Sequence, residues 1–214
     1  DYLLTTIDAE NSYNKHEIKN THKFGLSYGR WTHNTERDFN IQVKASLSLV
    51  HDRMNYYRGN GFDKVIYTGI TRKNFVLQNY SLRVDFPKGN GHKSHPILYY
   101  NVIQTPPSLI SMLDGFNNTL DPHNISTGNK DLKVTTEHRV EFEWRRVWRA
   151  KHQTSLYVKP QWVYLVNALA YGSTYDIKTG IRHYKPENVN GNYNLGYSGT
   201  FNTQFGAKNK WSLE

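Results

Sequence analysis

The feature that most constrains the fold is a strict alternation of apolar and polar residues in FNIQVKASLSLVH, residues 39–51. Every second position from Ile41 to Leu49 is apolar, and the positions between them carry Gln, Lys and Ser. Because successive side chains of a β-strand point to opposite faces, this period of two predicts a strand with one apolar and one polar face.

A second segment, NYNLGYSGTFNTQFG at residues 192–206, extends the pattern over a length that soluble proteins rarely use. One face is aromatic or aliphatic and carries Tyr193, Leu195, Tyr197, Phe201 and Phe205. The opposite face holds small or polar residues. Strands of globular proteins usually have about 5–6 residues, whereas a tilted strand needs about 9–11 to cross a bilayer. The segment is therefore predicted to cross a membrane, with its aromatic face toward lipid and its polar face toward a lumen.

Five further segments alternate less strictly and complete the set of predicted strands. They are residues 24–32, 76–86, 96–105, 138–148 and 155–172. The high aromatic content, 14%, together with many Asn, Thr, Ser and Gly residues, favours strands and turns over helices. We therefore predict an all-β fold, an antiparallel up-and-down meander of long strands that forms part of a transmembrane β-barrel.

The connections between these strands alternate in length along the chain. The predicted short connections are residues 33–38, 88–95, 149–153 and 207–210, and the predicted long ones are 59–73, 105–137 and 173–191. Outer-membrane barrels have short periplasmic turns and longer extracellular loops. The alternation therefore predicts a bacterial outer-membrane location.

The number of strands bears on the domain organisation. Residues 1–214 hold about seven long antiparallel strands and, in WSLE at 211–214, the start of another. A closed bacterial barrel normally needs an even count of at least eight, and an open sheet edge in lipid leaves backbone groups unsatisfied. We therefore expect one β-barrel segment that is a fragment of a larger barrel.

Composition excludes several classes of site. Cys is absent, which excludes thiol nucleophiles, disulfides and Cys-based metal sites. His92 and His95 lie three residues apart, but a metal site needs further ligands and none lies near them in the sequence. No arrangement of residues supports a hydrolase nucleophile. We expect a protein that is not an enzyme and that uses no cofactor.

The basic residues allow several kinds of partner. The net charge of +9 permits nucleic acid, anionic lipid or acidic glycan. In EWRRVWRAKH, residues 143–152, the spacing of Trp144, Trp148 and Arg149 at a strand end favours a membrane-interface girdle over a nucleic-acid surface. Glu141 and Glu143 share one strand face, and a lumen network with Arg139 and Arg145 explains them better than acid–base chemistry.

Two neighbouring stretches, LYYNVIQTPPSLISML and DPHNISTGNKDLKVTTEHRVEFEW, lie within residues 98–144. They resemble the outer-membrane β-barrel family of Bacteroidetes that is related to TonB-dependent receptors. In that family a strand ends in a Pro-Ser-Leu segment, and a structural loop leads into the next strand. The matching residues are Pro107, Ser108, Leu109, Leu113, Asp121, Pro122, Ile125, Gly128, Asn129, Leu132 and Lys133. Lys130 and Val134 stand where the family usually has proline.

The resemblance implies a TonB-dependent-receptor-like barrel involved in nutrient uptake. Its implied partners are outer-membrane lipid or lipopolysaccharide, a plug and the remaining barrel strands, and TonB through the full-length protein; no nucleic acid is implied. The sequence does not identify substrate-binding residues. From the residues themselves, the corner at Gly128 and Asn129 is predicted to adopt positive φ. The alternative is a soluble all-β carbohydrate-binding module with exposed Tyr and Trp residues.

Overall fold

A computed structural model describes residues 13–32, 39–59, 65–88, 94–113, 123–149, 153–205 and 211–213. The strands of these segments are β1 (Tyr13–Arg30), β2 (Asn40–Gly59), β3 (Val65–Asp85), β4 (Ser94–Thr105), β5 (Asn124–Ser126), β6 (Thr135–Arg149), β7 (Gln153–Val166), β8 (Ala168–Tyr175), β9 (Arg182–Val189), β10 (Asn192–Phe205) and β11 (Trp211–Leu213). A 3₁₀ turn spans Ile110–Met112. Within the described residues, no helix is long and apolar enough to cross a membrane.

Eight strands form one sheet, here called the main sheet, in the order β1-β2-β3-β4-β6-β7-β10-β11. Every neighbouring pair is antiparallel. The remaining strands form a small sheet of order β5-β9-β8, here called the loop sheet. The predicted all-β antiparallel meander of long strands is confirmed.

Several strand boundaries differ from the sequence prediction. β1 begins at Tyr13 rather than at residue 24, and β2 continues to Gly59 rather than ending at residue 51. Residues 59–73 were expected to be a long loop, but β3 begins at Val65 and pairs with β2 from Gly59↔Val65 onward. The distal half of this hairpin mixes polar and apolar residues on both faces, with Met54 and Tyr56 on one face and Ile70 on the other. Hydrophobic alternation therefore disappears there, although the backbone ladder continues. Pairing, rather than side-chain pattern, sets the length of this strand.

The predicted strand 155–172 is divided into two. Asn167 has φ of 54°, a left-handed conformation that Asn tolerates better than most residues. The chain turns at this residue, so β7 stays in the main sheet while β8 joins the loop sheet. The predicted loop 173–191 accordingly contains the end of β8 and all of β9.

The register places all the predicted apolar faces on one side of the main sheet, here called the outward face. One cross-strand row runs through seven strands as Tyr28–Val43–Leu82–Tyr100–Val140–Trp162–Leu195. Many of these side chains are exposed; in the adjoining rows Leu26 is 83% and Tyr197 92% exposed. A contiguous apolar surface of this extent marks contact with another apolar phase. Here it forms a belt that fits the lipid-facing band of a membrane barrel.

The opposite face of the main sheet, here called the inner face, is polar and charged. The carboxylates in the described strands of the main sheet all lie on it: Glu17, Asp52, Asp85, Glu137, Glu141 and Glu143. A sheet with one apolar and one charged face matches a barrel wall between lipid and an aqueous lumen. The burial of Met54 and Tyr56 on this face is explained by a loop that covers them.

Candidate functional site

The two long connections meet at one end of the main sheet, here called the mouth end. Residues 106–134 join β4 to β6, and residues 167–191 join β7 to β10. In an antiparallel meander alternate connections lie at the same end, and the β2–β3 hairpin also reaches this end. Since long connections of outer-membrane barrels are extracellular, we expect the mouth end to be the extracellular end of such a barrel.

The two connections are joined through the loop sheet. β5 pairs in parallel with β9, which brings Ile125 opposite His183. The backbone N–H of Thr127 donates to the carbonyl of Tyr184 at 3.0 Å, and that of Arg182 donates to the carbonyl of His123 at 2.7 Å. Residues about 60 apart in sequence are therefore fixed to each other by main-chain hydrogen bonds.

The segment after β4 folds back onto the inner face. The hydroxyls of Ser108 and Ser111 are 3.0 Å apart, and the Ser111 hydroxyl donates to the Ser108 carbonyl at 2.7 Å. This compact turn directs Leu109 into a buried cluster with Leu113 and with Met54 and Tyr56 of β2. The connection between β4 and β6 thus covers part of the lumen face two strands away from its origin.

Gly128 is required for a reason that differs from the one expected from the sequence. Positive φ was predicted at Gly128 and Asn129, but neither residue has it; in the described residues it occurs at Asn167, Gly180 and Gly191. Instead, a Cβ on Gly128 would lie 2.3 Å from the carbonyl oxygen of Leu113. Gly128 therefore permits a close approach between two backbone segments of the same loop.

Asn129 connects three parts of the mouth. Its backbone N–H donates to the Ser111 carbonyl at 2.8 Å, and its side-chain Nδ2 donates to the carbonyl of Pro186 in β9 at 2.9 Å. Its Oδ1 accepts the backbone N–H of Asp131 at 3.1 Å. These bonds link the 3₁₀ turn, the loop sheet and the return toward β6.

The return into β6 is held by Asn188 of β9. Its Oδ1 accepts the backbone N–H of Lys133 at 2.7 Å, and its Nδ2 donates to the carbonyl of Asn167 at 2.8 Å. The neighbouring Leu132 is buried. The side chain of Lys133 is exposed, so the backbone of this residue is what the junction uses.

The structure thus gathers most of the loop residues singled out in the sequence. Leu109, Leu113, Gly128, Asn129 and Leu132 lie in one junction, with Ser108 and Pro107 at its entry and Ile125 in the adjacent loop sheet. Asp121 and Pro122 lie outside the described residues. Asn188 and Asn167 were missed, because nothing local in the sequence indicates that a second loop lies against the first.

A network of charges lies on the inner face between β6 and β7. Lys159 Nζ is 3.0 Å from Glu141 Oε2 and 3.3 Å from Glu143 Oε1, and Arg139 bonds Glu137 at 2.8 Å. Arg139 also lies 3.6 Å from Glu141. The expected pairing of the two glutamates with Arg139 is found in part. Arg145 makes no ion pair within the described residues, and Lys159 of the neighbouring strand takes that role.

Replacing Lys159 with Gln is expected to destabilise the barrel modestly. The substitution leaves two neighbouring carboxylates without their shared cation, and solvent screening limits the effect to about 1 kcal/mol because the site is partly exposed. Urea unfolding of the full-length protein in detergent measures it. Lys44→Gln is the control, since Lys44 lies on the same face and makes no ion pair with a described residue. An equal loss in both variants would contradict the assignment.

A second polar group on the inner face is fixed by Arg83. Its Nε donates to Asp85 Oδ1 at 2.8 Å, and its guanidinium lies 5.8 Å from the ring of Trp31 and 5.4 Å from that of Tyr99. Such contacts hold a cation in one orientation over the lumen face. No sequence pattern indicates this group, since its members come from three segments.

The aromatic residues assigned to the girdle lie at the end opposite the mouth. Trp144 and Trp148 lie on the outward face. Trp144 Nε1 donates to Ser94 Oγ at 2.8 Å, and Arg146 lies 5.1 Å from the ring of Trp148. Arg149 ends β6, and its side chain lies outside the described part of the structure.

The tip of the β8–β9 hairpin depends on Asp176. Its carboxylate accepts the backbone N–H of Lys178 at 2.9 Å and the hydroxyl of Thr179 at 2.8 Å, and Gly180 has φ of 71°. The hydrogen bond from the Lys178 backbone, followed by that from Thr179, lowers the pKa of Asp176 below its ordinary value of 3.8. Because the pKa of this carboxyl is lower in the folded turn than in the unfolded chain, the carboxylate stabilises the turn at pH values above its ordinary pKa. This stabilisation is lost as the pH falls through the pKa of the folded state.

The hairpin tip is therefore expected to loosen as the pH falls below about 4. Hydrogen exchange of the peptide around residues 176–181, corrected for the intrinsic pH dependence of exchange, measures this. Asp176→Ala should lower the exchange protection of the tip even at pH 6, and acidification should then lower it little further. Protection that is the same in both proteins at pH 6 would show that the carboxylate does not hold the turn.

The described residues contain no group of three or more His, Cys, Asp or Glu side chains placed to hold a metal ion. The site is thus a mouth of two joined loops above a charged inner face. A long-stranded antiparallel wall with an apolar outward belt and a charged inner face defines an outer-membrane β-barrel protein.

The chain belongs to the outer membrane protein beta-barrel family, whose sequence model matches residues 88–214. The predicted outer-membrane location and the assignment of the sheet to a transmembrane barrel are thereby confirmed. Among solved structures, the chain is similar to the outer membrane transporter YddB from Escherichia coli, with 11% identity and a TM-score of 0.46. The similarity covers 92% of this chain and 32% of that chain, so the chain spans about a third of the transporter's length. A comparison with curated proteins gave no match.

Proposed function

We propose that this chain forms part of the wall and outer mouth of a TonB-dependent-receptor-like protein of the Bacteroidetes. The full-length protein would take up a nutrient across the outer membrane. The observation that carries the proposal is the mouth itself. Residues 106–113 lie on the inner face and cover Met54 and Tyr56. A loop that covers part of a charged inner face suits the selective passage of a solute rather than a purely structural role.

The proposal includes a larger assembly. β1 and β11 are the two edges of the main sheet, and within the described residues they are not paired with each other. An open edge within lipid would leave a row of backbone N–H and C=O groups unsatisfied. We therefore assign residues 1–214 to one segment of a larger barrel, completed by further strands and by a plug that interacts with TonB in the full-length protein.

The girdle residues have a role in the same proposal. Trp144 and Trp148, with Arg149, would mark the periplasmic membrane interface, because aromatic residues concentrate at both edges of the lipid band. The motif residues from Pro107 to Lys133 would position the mouth rather than perform chemistry. The protein would accordingly not be an enzyme, and its membership of an outer-membrane barrel family disfavours the soluble carbohydrate-binding alternative.

The test is uptake by cells that carry or lack the full-length gene. Growth on limiting concentrations of a panel of carbon and metal sources identifies the nutrient that the deletion strain no longer uses. Reintroducing the gene should restore uptake of that nutrient in cells with TonB and should fail in cells without TonB. Equal restoration in both strains would show a passive channel and would contradict the proposal.

A further inference from the structure

A buried carboxyl group lies on the inner face of β2, next to the apolar cluster of the mouth. Every second side chain from Ser48 to Tyr56 is at most 6% exposed, and Asp52 is 2% exposed. Leu109 and Leu113 pack with Met54 and Tyr56, the two inner-face positions that follow Asp52. Asp52 also lies beyond Leu49, where the strict apolar alternation of β2 ends. This carboxyl group is therefore enclosed above the lipid-facing belt, beside the segment 106–113 that covers the strand.

The charged groups that face Asp52 come from both neighbouring strands. In the register Asp52 lies opposite Lys19 of β1 and Lys73 of β3, and Glu17 is one inner-face position further along β1. The segment 106–113 carries no charged side chain. Neither lysine forms an ion pair with Asp52 in the part of the chain that the structure describes. The register therefore leaves Glu17 as the charged neighbour that Asp52 contacts.

The side-chain partner of Asp52 is thus another carboxyl group. The two carboxyl groups of Asp52 and Glu17 are joined by a hydrogen bond, whereas Asp52 Oδ1 is buried without a partner among the described residues. An ionised carboxylate can only accept hydrogen bonds, so a bond between two carboxyl groups requires a proton on one of them. Glu17 also lies 3.7 Å from Lys15 on its exposed side. The pair is therefore built to carry one proton and one negative charge.

Loss of this proton while the segment 106–113 stays in place would be costly. Asp52 would become a buried carboxylate whose Oδ1 has no hydrogen-bond donor, and burial of such a charge is strongly unfavourable. Repulsion from the carboxylate of Glu17 adds to the cost, and the charge of Lys19 offsets it only in part. Movement of the segment away from β2 would admit water to both carboxylates and remove most of this cost.

The same geometry sets the direction of the pH dependence. Burial, followed by the charge of Glu17, raises the pKa of Asp52 above its ordinary value of 3.8. If the segment 106–113 moves away, Asp52 meets water and the part of this rise that is due to burial is lost. The covered state therefore holds the proton more tightly than the uncovered state. By linkage, this stabilisation of the cover is complete below the ordinary pKa and is lost as the pH rises through the raised pKa.

We propose that a proton shared by Asp52 and Glu17 keeps the segment 106–113 on the inner face of β2, and that the segment separates from the strand when this proton is lost to water. The mouth is then covered at low pH and uncovered at higher pH. This behaviour depends on the contact between the segment and β2, so it is independent of the solute that is taken up and of TonB. Its direction is opposite to that of the hairpin tip at Asp176, which loosens on acidification.

The experiment is hydrogen exchange of the peptide from Ser108 to Leu113 in the full-length protein in detergent. Its protection, corrected for the intrinsic pH dependence of exchange, should fall about tenfold as the pH rises from about 4 to about 8. Asp52→Asn places an uncharged amide that can donate to Glu17, so protection should stay high and nearly constant over this range. The matched control is Glu143→Gln, which removes an inner-face carboxylate at the end of the sheet away from the mouth. It should keep the pH dependence of the parent protein.

A second variant keeps the test valid if Asp52→Asn folds poorly. Glu17→Gln changes a partly exposed position of the edge strand β1, and its amide can donate to the Asp52 carboxylate, so it should also weaken the pH dependence. Resistance of the folded barrel to SDS at room temperature checks that each variant is folded. The proposal would be overturned by parent protection that stays constant or increases as the pH rises. A pH dependence that persists unchanged in both variants would overturn it as well.

Discussion

Replacing Gly128 with alanine is expected to release the mouth loop from the inner face while the barrel wall stays folded. The added Cβ would lie 2.3 Å from the carbonyl oxygen of Leu113 and 2.6 Å from its backbone N and C atoms. These are main-chain atoms, so no side-chain rotation relieves the clash. Overpacking usually costs about 1–3 kcal/mol, and we expect the upper end of that range because two backbone segments must separate.

Limited proteolysis of the full-length protein in detergent measures this release. Cleavage within residues 106–134 should accelerate about a hundredfold in Gly128→Ala, as expected for a loss of roughly 3 kcal/mol of loop-docking free energy. Gly25→Ala is the matched control, since its Cβ would meet ordinary contacts at 3.7 Å and beyond. Cleavage at the parent rate in Gly128→Ala would show that the two segments do not approach as described.

Truncating Leu109 to alanine is expected to have a comparable effect by a different cause. Leu109 is 0% exposed and packs with Met54, Tyr56 and Leu113. Removing a buried leucine side chain costs about 2–5 kcal/mol, less where neighbours can collapse into the space. Because a loop can adjust more than a core, about 3 kcal/mol is expected.

Hydrogen exchange of the peptide from Ser108 to Leu113 reports the loss. Protection should fall by about two orders of magnitude in Leu109→Ala, in line with roughly 1.4 kcal/mol per tenfold change. Ile177→Ala is the control, since Ile177 is 87% exposed at the hairpin tip and its truncation should change nothing in this peptide. Unchanged protection in Leu109→Ala would mean that the loop is held by its hydrogen bonds alone.

Much of the barrel wall could be predicted from the sequence because its faces obey a period of two. The row Ile41 to Leu49 and the aromatic row of β10 both lie on the outward face, as their alternation requires. The same reasoning failed above the membrane. There the mouth loop covers the inner face of the β2–β3 hairpin at Met54 and Tyr56, and polar and apolar residues are mixed on both faces. The side chains therefore no longer alternate, and the continuation of β3 to Val65 was not visible.

The mouth could be predicted only in part. The residues of the family motif were recognised, and Leu109, Gly128 and Asn129 do meet in one junction. The second loop holds this junction through the Pro186 carbonyl, which accepts from Asn129, and through Asn188, which accepts from the Lys133 backbone. These partners lie 57 and 55 residues away in the sequence, and one sequence does not indicate that pairing. The same limit explains why Lys159 was missed as the partner of Glu141, since the register between β6 and β7 decides which cation lies opposite.

The central claim is that one face of this sheet meets lipid while the other lines a lumen. Residues 1–214 contain no cysteine, so single cysteines can be placed and spin-labelled at consecutive positions of β2, from Val43 to Leu47, once any cysteine elsewhere in the full-length protein has been replaced. Electron paramagnetic resonance of the full-length protein in bilayers then measures accessibility to oxygen, which concentrates in lipid, and to a water-soluble nickel complex. Oxygen accessibility should be highest at positions 43, 45 and 47, and nickel accessibility at 44 and 46. A uniform profile, or the opposite alternation, would contradict the account.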